Sequence, residues 1–288
     1  MTSEVINADV NMATRTTHPP IGILLREWRI ARRISQMELA LQSDISSRHL
    51  SCIETGKAQA SRETVERLAD VLAMPLRERN ALLIAAGYAP VYAESTLGTP
   101  ALDRMRQVID LVLGHQEPYP AFVLDRHWET LLVNDGARRV DQFVMGGRAL
   151  KHTNMLHQVF DPDDFRRVIV NWQDMAWRFL RRLHEEIADV PTDEKAQSLL
   201  EELLRYPDVP KNWRFRDVEI EPSPVHLTVL RSPEGELRFF DTITTFAGPR
   251  DVTLSELRIQ CAFPADDRTA AICKALAAEG GSLLSIQK

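Results

Sequence analysis

The feature that most restricts this chain is a set of three serines, Ser35, Ser46 and Ser61, each placed just before a short burst of helical periodicity. In Ser35-Gln-Met-Glu38 a hydroxyl at the N-cap is followed three residues on by a carboxylate, so each can satisfy an orphan backbone donor of the other. The helix this starts ends near Ser43. Asp44-Ile45 turns the chain, Ser46 caps a second helix over 47–55, and Gly56 stands where a left-handed C-terminal residue belongs. Ser61 opens another helix carrying Val65, Leu68, Ala69 and Leu72. Two helices of about eight residues joined by a turn of about three have the spacing that seats a recognition helix in a major groove. Leu39, Ala40, Ile45, Leu50 and Ile53 would knit the pair together, leaving Ser47, Arg48, Ser51 and Cys52 outward. Gln36 and Ser46 sit at helix N-termini, where free N–H groups suit phosphates. Arg48 is the outward side chain able to hold guanine in a bidentate contact.

Composition agrees with a DNA-binding head on a larger body. Hydrophobic residues make up 44% and charged residues 26% of 288, as in a globular protein of two domains. No apolar run approaches the roughly 18 residues of a membrane span. The net charge of −6 divides into +2 between Pro20 and Pro90 and −8 elsewhere, so DNA would be met through a local face. Residues 1–20 are polar and read as a disordered arm without a signal peptide. Cys52, Cys261 and Cys273 are odd in number with no short paired spacing. That predicts a reducing, cytoplasmic setting with neither a disulfide framework nor a zinc site.

The run Arg26-Glu27, Ser35-Gln36-Met-Glu38-Leu-Ala40, Ile45-Ser46 and Leu50-Ser-Cys-Ile53-Glu54-Thr-Gly56-Lys57 resembles the phage-repressor-like, xenobiotic-response-element (XRE) family of helix-turn-helix domains. The resemblance implies an all-α domain of five helices over 21–90. It also implies Gln36 and Lys57 at phosphates, Ser47, Arg48 and Cys52 facing bases, and His49 at the border. Arg33 and Asp44 stand where the family often has glycine. The alternative is a protein-interaction module that keeps this fold without reading DNA.

A linker and a connecting helix over 91–116 lead into a second domain, 117–280, with a tail at 281–288. Apolar runs at 119–124 and 128–134 read as a hairpin, and runs at 225–230, 236–246 and 256–263 as three antiparallel strands. Between and after them, helical periods cover 164–187, 193–205 and 267–279. The result is an α+β, PAS-like domain: a five-stranded antiparallel sheet with helices on one face and a gap that commonly holds a ligand. Trp172, Met175 and Phe179 from a helix and Phe122, Leu124, Phe240 and Phe246 from strands are positioned to line it. On the residues alone, packing as core explains them better.

Ala86-Gly-Tyr-Ala-Pro90, Glu117-Pro-Tyr-Pro-Ala-Phe-Val-Leu-Asp-Arg126, Trp128, Val133-Asn134, Asn171-Trp172, Trp213 with Asp217-Val218, and Pro233-x-Gly235-x-Leu237 are similar to the MmyB-like regulators. That resemblance implies a repressor that acts as a homodimer on double-stranded DNA, with a small hydrophobic ligand, a long-chain fatty acid, in the pocket. A carboxylate there would want Arg178, Arg181, Arg182, His184 or Arg214. The stretch 219–225, with two prolines, departs from the expected glycine-containing turn. No catalytic constellation or cofactor motif accompanies these residues: there is no Gly-rich phosphate loop and no G-x-S-x-G elbow. His152 and His157 are poorly spaced for a shared metal on a helix, and Asp161, Asp163 and Asp164 read as a helix N-terminus that favours negative charge.

Overall fold

The three serines each cap a helix. In the computed structural model, which describes residues 20–96, 102–214 and 227–284 with side chains to 279, Ser35 Oγ accepts the Glu38 N–H at 3.1 Å. Ser46 Oγ accepts that of His49 at 3.1 Å and Ser61 Oγ that of Thr64 at 3.2 Å. They precede α2 (Gln36–Gln42), α3 (Ser47–Glu54) and α4 (Arg62–Val71), with α1 (Ile21–Ala31) before them and α5 (Leu76–Ala85) after. Residues 1–19 of the expected N-terminal arm, the stretch 219–225 and the last four residues lie outside the described residues.

Chain contacts group residues up to 90, other than 75–77, into one unit and the remainder into a second. In the first, Leu25, Trp28, Leu39, Leu50, Ile53 and Leu68 are fully buried. Removing such side chains from water is the main source of stability for helices this short. Arg33 and Asp44, the two departures from glycine, are left-handed at φ +57° and +53°, and Ala73 joins them at +48°. Aspartate tolerates this conformation better than arginine or alanine do.

The second unit runs α6 (Asp103–Gln116), β1 (Ala121–Leu124), β2 (Thr130–Val133), α7 (Asp135–Met145), α8 (Met155–Phe160), α9 (Trp172–Asp189), α10 (Glu194–Leu203), β3 (Leu227–Ser232), β4 (Gly235–Thr244), α11 (Val252–Glu256), β5 (Arg258–Pro264) and α12 (Asp267–Leu284). The five strands are antiparallel in the order β2-β1-β5-β4-β3. Their period of two sends Phe122 and Leu124, Leu237 and Phe239, and Ala262 toward the core shared with α7 to α10 and α12. Ala121, Val123, Ile259 and Cys261 point the other way, onto Ile109 and Leu113 of α6 and Leu254 of α11. Helices therefore cover both faces of the sheet, where the sequence had suggested one.

Two further expectations change. The helical stripe of 164–187 is split into a 3₁₀ turn at Phe165–Val168 and α9. The break falls where Ile169 bridges Leu230 and Val170 N donates to Val229 O at 2.8 Å. Asn171 completes it, accepting from Val229 N (3.0 Å) and donating to Leu227 O (2.8 Å). Asp164 stands at the N-cap of the 3₁₀ turn without a side-chain capping bond, and Asp161 ends α8; both carboxylates brace the loop instead. Asp164 accepts the N–H groups of Lys151 and His152 at 3.0 and 3.1 Å, and Asp161 accepts from Asp163 N and His152 Nε2.

Asn134 fixes where α7 leaves the sheet. Its Oδ1 accepts from Ala121 N and Ala137 N, both at 2.9 Å. Its Nδ2 donates to Tyr119 O at 2.8 Å and Leu113 O at 3.3 Å. One buried amide thus ties α6, β1 and α7 together with its polar atoms satisfied, which makes such a group stabilising.

Candidate nucleic-acid interface and ligand cavity

The recognition-helix candidate is α3. Leu50 and Ile53 are fully buried, so the helix is fixed along one side. Its C-terminal end is held by charge: Arg29 of α1 grips Glu54 through Nε at 2.8 Å and a second guanidinium nitrogen at 3.1 Å. Gln36 Nε2 of α2 adds a bond to the same carboxylate at 3.0 Å. Glu54 is almost wholly enclosed, and a bidentate, buried pair of this kind is directional as well as strong. The sequence reading missed Arg29 and Glu54 as a pair. The signal was a base on the first helix and an acid at the end of the third, each flanked by core positions.

Opposite this anchor, Ser46, Ser47 and Arg48 at the N-terminal end of α3 are exposed, as is Lys57 just past its end, while His49 and Cys52 are half-buried. Gly56 (φ +71°) turns the chain out, with the Lys57 and Ala58 N–H groups folding back on Cys52 O at 2.7 and 3.1 Å. The first turn of α3 therefore presents a guanidinium, two hydroxyls and a helix N-terminus on one side, a set suited to base edges and phosphates. Gln36 differs from the rest, because its amide nitrogen is engaged inside the fold.

In the second unit, a cavity of about 70 Å³ lies between the sheet and α7, α8 and α9. Phe122, Val140, Met155, Val159, Met175 and Phe239 give it an apolar lining. An adjoining chamber of about 330 Å³ is bordered by Trp128, Phe179 and the arginines 178, 181 and 182, and shares Met175, Thr228, Asp241 and Gln260 with the first. Trp128 is held at its wall in a left-handed conformation (φ +67°), with Nε1 donating to Glu186 Oε2 at 3.1 Å and its ring edge-on to Phe179 at 5.3 Å.

The cavity also contains acids. Burial pushes the Asp141 carboxyl up to about 7, and the charge of Asp164 pushes it the same way. Burial also raises Asp241, against bonds from Thr228 Oγ1 (2.9 Å) and the Gln260 amide and the charge of Arg178. Burial lowers Arg178 in turn, opposed by Asp241 and Asp174.

A family model described as the MmyB-like transcription regulator ligand binding domain matches residues 105–276, well over half of the chain. A second model, a helix-turn-helix domain, matches residues 20–82. The chain belongs to the MmyB-like regulator family. It is 40% identical over 76 residues to an uncharacterized HTH-type transcriptional regulator, RghRB, of Bacillus subtilis (strain 168). That match takes in 26% of this chain and 52% of RghRB, so the chain spans about half of the curated relative's length. Among solved structures, the clp gene regulator ClgR from Corynebacterium glutamicum is similar at 24% identity, covering 35% of this chain and 99% of that one with a TM-score of 0.21. An RNA-binding light-oxygen-voltage receptor is similar at 13% identity over 92% and 64% of the two chains, with a TM-score of 0.24. The two matches place a helix-turn-helix domain ahead of the MmyB-like ligand binding domain along the chain.

Within this MmyB-like domain, the residues expected at the ligand separate. Phe122 and Met175 line the small cavity, and Phe179 the larger chamber. Leu124 and Trp172 are core: Trp172 donates to Val159 O at 2.8 Å and is covered by the Arg166 guanidinium at 3.4 Å. Phe240 and Phe246 are on the wrong side of the sheet. Phe240 is adjacent in sequence to inward-facing Phe239, so it points away and stacks on Phe263 at 5.3 Å. Phe246, beyond the strand, packs with the α6 cluster. Of the basic candidates, His184 and Arg214 both pack on Trp213, at 5.3 and 5.0 Å. Asp141, Asp241 and Gln260 were missed. Helical spacing puts Asp141 beside Val140 and Val144 on the apolar stripe of α7, and Asp241 follows Leu237 and Phe239 on the inward side of β4. Cys261 and Cys273 are buried, and burial raises both thiols, Cys273 to about 11. Among the described residues no group of three or more metal-binding side chains gathers, and no helix is long and apolar enough to cross a membrane.

Proposed function

We propose that this regulator is a repressor that binds double-stranded operator DNA as a homodimer through the first turn of α3, and that a small, largely apolar effector in the sheet–helix cavity modulates this binding. One observation carries the DNA reading. The end of α3 that bears Ser46, Ser47 and Arg48 is exposed, while its other end is clamped by Arg29 and Glu54. Arg48 and Ser47 are assigned to base edges, with His49 and Cys52 flanking them, and Ser46, Lys57 and the N-terminus of α2 at Gln36 to phosphates. A single helix of eight residues reads about half a useful site, which is the argument for two copies on DNA. For the effector, a fatty acid is the molecule that the family resemblance implies. Its tail would meet Phe122, Val140, Met155 and Met175, and its head would have to stop near Arg178, short of Asp141 and Asp241.

The alternative, a protein-interaction module, has one observation in its favour: Met37 and Leu41 are 74% and 80% exposed one turn apart on α2. Selection of bound sequences from random duplex DNA, followed by titration of Arg48→Ala, separates the two. A regulator that reads DNA loses about 1–3 kcal/mol of discrimination at one base pair in the variant. Binding that is absent, or that ignores salt between 50 and 200 mM, points to the module instead.

A further inference from the structure

Resting on the reading that the sheet–helix cavity holds the effector, we infer that the effector's head group is a protonated amine on an apolar body, received by Asp141 and Gln260. Three observations on the cavity wall carry this.

The first is an imbalance of acceptors. Asp141 faces the cavity with no hydrogen-bond or ion-pair partner among the described residues. Gln260, only 7% exposed, directs its amide nitrogen to Asp241 and leaves Oε1 buried without a partner among the described residues. Gln158, also on the wall, commits its Nε2 to His152 O at 2.6 Å. Unmade bonds of buried acceptors are costly, and a ligand that brings N–H groups makes them.

The second is charge. Two of the arginines that a ligand carboxylate would seek are already paired, Arg181 with Glu185 at 3.1 Å and Arg182 with Glu186 at 3.0 Å, and the third, Arg178, lies in the field of Asp241 and Asp174. Arg178 Nε lacks a partner among the described residues, so a neutral acceptor elsewhere on the same ligand has a place there. A carboxylate near Asp141 would stand as a third acid beside Asp141 and Asp241, and like charges in a low-dielectric site repel strongly.

The third is shape. Val140, Met155, Val159 and Met175 surround these groups, so a fully polar cation would leave the lining unused, whereas an alkylamine covers it.

The test uses the full chain, stripped of co-purified small molecules, and three probes of equal length: octylamine, octanoic acid and octanol. Isothermal titration calorimetry at pH 7.5 should show octylamine binding at least tenfold more tightly than octanoic acid, with octanol between them. Asp141→Asn should erase at least tenfold of the amine's advantage over the acid, and a thermal melt should show the variant folded. Octanoic acid binding as well as octylamine overturns the inference, as does an amine-to-acid ratio that Asp141→Asn leaves unchanged. The effector reading fails separately, when octylamine binds as expected and operator affinity measured in the same solutions does not move.

Discussion

Gly22→Ala is a test of the α1–α3 contact in which two ordinary rules predict opposite signs. Alanine is the better helix former, by at most about 1 kcal/mol in a helix interior, so on propensity alone the variant should gain stability. The structure says otherwise. A Cβ on Gly22 would lie 2.3 Å from Glu54 O, 2.7 Å from Glu54 C and 2.8 Å from Ile53 O. Ordinary carbon contacts begin near about 3.5 Å, so α1 and the end of α3 must separate by roughly 1 Å. Backbone atoms cannot rotate out of the way. The displaced residue is also the one gripped by Arg29 at 2.8 and 3.1 Å, so a shift of this size stretches that pair as well. Overpacking of this kind costs about 1–3 kcal/mol. Set against the propensity gain, and with the strained ion pair added, a net loss of about 1–3 kcal/mol is expected. Hydrogen exchange on the full chain, followed by mass spectrometry of peptides covering 21–31 and 47–58, should show opening faster by roughly ten- to a hundredfold, together with weaker DNA binding. Unchanged or increased protection in those peptides would refute the contact as described.

Arg29→Ala leaves Glu54 buried without its base and should destabilise the first unit by about 3–5 kcal/mol, read in a denaturant titration followed by the same exchange peptides. Asn134→Ala strands two backbone N–H groups and two carbonyls and should cost several kcal/mol, on the order of about 1 for each bond lost, measured as a shift in urea midpoint. Asp141 carries a carboxyl raised to about 7, so the folded protein holds a proton that the unfolded chain releases above about pH 4. Stability from this group is therefore complete at low pH and lost as pH rises through 7. Asp141→Asn should match the parent below pH 4 and exceed it at pH 8 by a few kcal/mol at most; equal pH profiles from 4 to 8 would count against the assigned burial.

Much of the fold was legible because local chemistry and tertiary packing agree. The serine caps and Gly56 are decided within a few residues, and short-range rules find them; the left-handed positions at Arg33 and Asp44 were marked by the family resemblance, which has glycine there. Helix α8 was not foreseen, since six residues leave little periodicity to detect, and α7 was passed over although Ala137, Val140 and Val144 repeat at helical spacing. The split before α9 depends on Ile169 meeting Leu230, a strand distant in sequence, and no local pattern carries that. Phe240 and Phe246 show the limit of reading aromatic content without phase, because a one-residue offset on a strand reverses the side. Asp141 and Asp241 were readable by phase, yet an acid in a helix or strand is usually solvated, and that expectation hid them.

The sheet's double covering has a mechanical consequence for whatever enters the cavity. Gln260 looks toward the cavity while its neighbours Ile259 and Cys261 rest on the opposite layer with Ile109 and Leu113. The strand is thus a partition that both layers press on, with no compliant solvent side to absorb a push. A guest that nudges this partition by a fraction of an ångström loads the packing behind it at once, and the work of admitting the guest is shared across the thickness of the domain.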